Sequence, residues 1–119
     1  MKIEILDDKR KISIKELRVL GAEFYQDIVV GAVDLASGVV ALGGEFSHDA
    51  RNALLESGIP MTNIWGFKIL LDKKVVEGEE GYFSITDVRP SEGNSTSIRN
   101  GEKGVNVKVR ELIQAIIEN

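Results

Sequence analysis

The sequence predicts an α+β domain in which three helices pack on a mostly antiparallel sheet of about five strands, in the order β-α-β-β-α-β-β-α. Three observations predict it. Runs rich in β-branched and aromatic residues at 27–35, 39–46, 64–71 and 82–88 have the length and composition of strands. Apolar residues recur at three- and four-residue spacing over 14–24 and 105–117, as they do on one face of a helix. Two of the strands are separated only by Ala36-Ser37-Gly38, which is too short for a crossover and demands an antiparallel hairpin. With 119 residues, one domain spanning 1–119 can bury a core without staples.

Residues 2–6 alternate, with Ile3 and Ile5 on one face, and read as a short edge strand. Ser13 and Glu16 then have the spacing of a capping box, and Ile12 and Leu17 that of a hydrophobic staple, so a helix starts here. Its apolar stripe is Ile14, Leu17, Leu20 and Phe24.

The hairpin carries the most inference. If its loop is Ser37-Gly38, Asp34 faces Ala41, Ala32 faces Gly43 and Val30 faces Glu45. One face is then Val29, Val33, Leu35, Val40, Leu42 and Phe46, which is core. The other is Val30, Ala32, Asp34, Ala41, Gly43 and Glu45, whose small residues suit close approach of a helix, a second subunit or a ligand, and leave room for a homo-oligomer. Asp34 and Glu45 come out roughly 13 Å apart at strand rise, too far to share a metal ion.

Ser47 is placed as the N-cap of a second helix with Asp49 in its first turn and Ala50, Ala53 and Leu54 facing inward. Gly58, Ile59 and Pro60 supply its stop. Residues 64–71 follow as a strand with Trp65, Phe67, Ile69 and Leu71 on one face, and 82–88 as its antiparallel neighbour. A polar loop from Arg89 to Gly104 leads to the last helix, with Val109, Leu112, Ile113 and Ile116 on its apolar side.

Composition narrows the functions. There is no cysteine, which excludes disulfides and thiolate chemistry. Net charge is −4 with the basic residues scattered, which argues against nucleic acid. No apolar run approaches a membrane span or a signal segment, so the expectation is a cytoplasmic protein without a membrane partner.

Two clusters carry chemistry. Glu45, His48 and Asp49 join an acid and the only histidine at a strand-to-helix junction, where they would serve as base and orienter, or where Glu45 and His48 would hold a divalent metal for hydrolysis. Metal signatures normally bring a second histidine, and Ser47 and Asp49 have a sufficient job at the helix start. Gly43-Gly44 matches no phosphate-loop spacing; a bulge or tight packing of another element explains Gly43, and Gly44 stays open. The second cluster is Arg89 with Gly93, Asn94 and Ser95, a guanidinium fork beside amide and hydroxyl donors, walled by Trp65; it suits a carboxylate or phosphate. An Asp87–Arg89 ion pair is its plain alternative. The readings rank as a small-molecule or anion-binding domain, then a metal-dependent hydrolase, then a structural or protein-interaction domain.

Taken together, Ala41-Leu42-Gly43-Gly44-Glu45, His48-Asp49-Ala50, Leu54-Leu55 with Gly58, Ile64-Trp65-Gly66-Phe67, and Arg89-Pro90 with Gly93-Asn94 and Ser95 resemble a family of small prokaryotic proteins catalogued as domain of unknown function 5674. The resemblance runs from the first helix to the last and implies no activity. Two positions depart from it: Ile59-Pro60 stands in place of a serine-led turn, and Asn63 in place of an acidic residue.

Overall fold

Alternation in the strand segments decides the architecture, because the central strands Ile28–Asp34 and Val40–Gly43 bury apolar residues on both faces, one for each of two helical layers. The computed structural model describes residues 1–79, 81–86 and 105–118, the side chain of residue 106 aside. The elements are β1 (Ile3–Leu6), β2 (Ile12–Ser13), α1 (Ile14–Ala22), β3 (Ile28–Asp34), β4 (Val40–Gly43), α2 (Ser47–Glu56), a 3-10 turn (Met61–Asn63), β5 (Ile64–Leu70), β6 (Phe83–Ile85), α3 (Val105–Ala115) and β7 (Ile117–Glu118). Five strands form one sheet in the order β1-β4-β3-β5-β6, every neighbouring pair antiparallel. The α+β class and the three helices are as the sequence predicts. A two-stranded parallel ladder, β2 with β7, is an addition.

The larger core lies on one side of the sheet. Val29 and Val33 of β3, Val40 and Leu42 of β4, Trp65, Phe67 and Ile69 of β5, and Phe83 and Ile85 of β6 meet Leu17 and Leu20 of α1 and Val109 and Ile113 of α3. On the opposite side a smaller core, Ala32, Ala41, Ala50, Leu54 and Ile64, seats α2. Alanine on both surfaces lets this helix lie close to the strands, and among the described residues Leu54 and Ile64 are the large side chains fully buried there.

The two faces of the hairpin sort as predicted, but the register does not. Ala32 pairs with Ala41 and Val33 with Val40, two residues away from the predicted pairing. The loop has four residues instead of two, because the Asp34 carboxylate organises it. Its oxygens accept from the Ala36 N–H at 3.1 Å and the Ser37 hydroxyl at 2.6 Å, while the Gly38 N–H donates to the Asp34 carbonyl at 2.8 Å. A two-residue slip keeps every side chain on its face, since the strand period is two. Phe24 and Phe46 correct two further expectations. Both are exposed, because α1 ends at Ala22 and β4 at Gly43 before either residue can join the core.

Local signals hold at the start of α1 and at the end of α2. The Ser13 hydroxyl accepts from the Glu16 N–H, and the Glu16 carboxylate accepts from the Ser13 N–H, each at 3.1 Å. At the other end of α2, Ile59 N–H reaches the Leu54 carbonyl and Gly58 N–H the Leu55 carbonyl, with Gly58 at φ +91, which is the Schellman arrangement.

Two carboxylates couple this scaffold to acid. Hydrogen bonding and charge from Arg10 hold Glu4 below its ordinary value of 4.5, and the Ser13 N–H does the same for Glu16. A lowered folded-state value means that the stability contributed is complete above the ordinary carboxylate range and is lost as pH falls through the lowered one. A Glu4→Gln, Glu16→Gln double variant is therefore expected to have a lower urea midpoint than wild type at about pH 6, with the gap closing toward about pH 2. A gap that stays constant across that range would show that neither carboxylate contributes through its charge.

Candidate functional site

The junction between β4 and α2 is held from both sides. Phe46 occupies the N-cap of α2 with extended backbone and no side-chain cap bond. The service comes from Asp49 instead, whose Oδ2 accepts from the Glu45 and Phe46 N–H groups at 3.0 and 2.9 Å. Ser47 is therefore the first helical residue and not the N-cap that the sequence suggests. Gly44 permits this closure, since a Cβ there would stand 2.7 Å from that of Asp49. From the other side, α1 exits through Tyr25 and Gln26, whose N–H groups both close on the Gly21 carbonyl, with Gln26 at φ +72. Tyr25 then donates its hydroxyl to the Glu45 carbonyl.

These contacts frame a cleft of about 430 Å³ beside the start of α2. Ile28 and Val30 of β3 and Lys68 of β5 contribute its strand side; the exposed Tyr25, Glu45, Phe46 and His48 form its rim; Ser47 and Thr86 also line it, their hydroxyls 3.2 Å apart. Phe46 and His48 stack, with ring centres 5.4 Å apart and planes 15° from parallel. Lys68 pairs in register with Val30 and with Ser84, which places all three on the α2 side of the sheet. Among the described residues Lys68 has no ion-pair partner, and the buried Ser84 hydroxyl has no hydrogen-bond partner. A second cleft of about 300 Å³ borders residues 71–77, but Arg18 there leans on the Leu71 carbonyl and Lys74 pairs with Glu77.

Of the residues singled out in the sequence, Glu45 and His48 line the first cleft, and Asp49 stands behind them. The His48 Nε2 lies 3.7 Å from the Asp49 Oδ1, near it but beyond hydrogen-bond reach. Among the described residues no three His, Asp or Glu side chains gather in a way that could hold a metal ion. Trp65 is 2 % exposed and sits in the larger core, on the side of the sheet away from Glu45 and His48. Arg89, Gly93, Asn94 and Ser95 lie outside the described residues. Tyr25, Lys68 and Thr86 line the cleft without standing out in the sequence as site residues. Lys68 had a signal, being the one charge inside the otherwise apolar segment Ile64–Leu70.

Among the described residues no helix is long and apolar enough to cross a membrane. No curated protein and no solved structure matches the chain. Residues 5–119 match the family described as a protein of unknown function, DUF5674, and the chain belongs to that family.

Proposed function

We propose that this protein binds a small anionic molecule, a carboxylate or phosphate, in the cleft beside α2. The observation that carries the reading is Lys68, an ammonium group without an ion-pair partner among the described residues, placed in one cleft with the Ser47 and Thr86 hydroxyls. An ammonium with two hydroxyl donors is a sufficient set of contacts for a carboxylate or phosphate oxygen. The first turn of α2 adds to it. Asp49 occupies the N–H groups of Glu45 and Phe46, so those of Ser47 and His48 are the donors at the positive end of the helix. Glu45 opposes the anion from the rim and moderates its affinity.

Calorimetric titration with inorganic phosphate and with acetate tests the reading. Lys68→Met is expected to weaken binding by about tenfold, because it removes the charged contact while keeping the aliphatic stem on the sheet. Glu45→Gln is expected to tighten it roughly two- to fivefold, the size of an exposed charge–charge interaction. Unchanged affinity in Lys68→Met would remove the basis for the proposal. Trp65 faces the other core, so its fluorescence is expected to stay constant throughout.

A further inference from the structure

We infer that the acid accepted by this cleft carries an aromatic ring, as an aryl carboxylate or aryl phosphate does, with the ring against Phe46 and the acid at Lys68; the inference rests on the anion reading above. Phe46 is 51 % exposed at a helix N-cap, a position where Ser, Thr, Asp or Asn would satisfy the backbone directly. The chain instead delegates that task to Asp49 and presents a ring at the cleft rim. That ring is not loose. It is stacked on His48, and the segment bearing it is fixed through the Glu45 carbonyl by Tyr25 and through two N–H groups by Asp49.

A surface ordered before binding loses little freedom when a ligand settles on it. The cleft volume of about 430 Å³ falls within the roughly 300–1,000 Å³ of small-molecule pockets and far exceeds what a bare anion fills. Beside Lys68, Glu45, His48 and the two hydroxyls, the lining includes Ile28, Val30 and the Tyr25 ring, so the cleft offers apolar and aromatic surface next to its charged and polar groups. A ligand with one charged and one flat apolar part matches that mixed lining; a ringless anion leaves Phe46 and Tyr25 in water.

The test compares pairs of probes on the full chain by titration: inorganic phosphate against phenyl phosphate, and acetate against benzoate, with benzyl alcohol as a ring without charge. Each aryl acid is expected to bind about three- to tenfold more tightly than its ringless partner, the size of an aromatic stacking gain. Phe46→Ala and Phe46→Leu should each abolish that gain, read within each variant as the ratio of phenyl phosphate to phosphate affinity. The leucine variant separates stacking from simple apolar contact, and thermal unfolding of both variants verifies that they fold. If phosphate binds but phenyl phosphate binds no better, the aromatic inference fails and the anion reading survives. If the gain persists in both Phe46 variants, the ring does not sit where proposed and the inference also fails. If neither phosphate nor phenyl phosphate binds, or if benzyl alcohol binds as well as benzoate, the anion reading itself falls and takes the inference with it.

Discussion

Gly43→Ala is expected to destabilise the protein by at least about 3 kcal/mol, combining backbone strain with overpacking. Gly43 has φ +119, outside the range that L side chains adopt with ease, and a Cβ there would lie 2.2 Å from the Lys2 carbonyl oxygen. The clash is with backbone, so no rotamer relieves it; the edge strand β1 must move away from β4, to which it is hydrogen-bonded. Gly58→Ala is the matched control. That residue has φ +91 but open space around the added carbon, and the expected cost is only about 1 kcal/mol. Urea unfolding of the two variants should separate the terms. Equal losses would mean that β1 yields freely and that close packing at Gly43 contributes nothing. The same result bears on the sequence-based expectation that Gly43 serves a bulge or close packing rather than anion binding, because its missing side chain makes room for the chain entering β1.

Leu54→Ala is expected to cost about 3–5 kcal/mol, near the upper part of the range for buried leucine. The site cannot collapse well, since most of its fully buried neighbours are alanines already in contact across the α2–sheet interface. Leu54 and Ile64 carry the bulk of that smaller core, so the deletion loosens α2 more than it loosens the opposite face. Two measurements distinguish this from general weakening. Amide hydrogen exchange should rise in α2 before it rises in β3 and β5, and phosphate affinity should fall even though Leu54 does not line the cleft. A uniform rise in exchange across the sheet would contradict a separable α2 layer.

How far the residues announce this architecture depends on whether the signal is local. The capping box at Ser13 and Glu16 and the stop at Gly58 need only neighbours within a few positions, and both stand as read. Face assignment in the hairpin needs only alternation, so it survived an error in the loop. The register needed the geometry of the turn, and there the informative residue was Asp34, whose side chain builds the loop in the manner known for aspartate at turns. Phe24 and Phe46 depart from expectation for one reason: apolar character alone does not imply burial, and each lies just past the end of its element. The cleft was half legible. Glu45 and His48 adjoin in sequence and were found; Tyr25, Lys68 and Thr86 come from three other segments and meet them only through the sheet.

The β2–β7 ladder has a consequence for the route by which the chain reaches this structure. It pairs Ile12 with Ile117 in parallel, reinforced by the Ile12 N–H on the Ile116 carbonyl at 2.8 Å, whereas the hairpin β3–β4 joins near neighbours. Closing a loop of that length costs entropy that only an already assembled sheet can offset, so the ladder belongs to the late part of folding. Contacts made after the rate-limiting step govern how fast the native state is lost and not how fast it is found. Ile12→Val should accordingly steepen the escape from the folded state while leaving the refolding rate near that of wild type, which makes this two-residue clasp a latch on the lifetime of the fold.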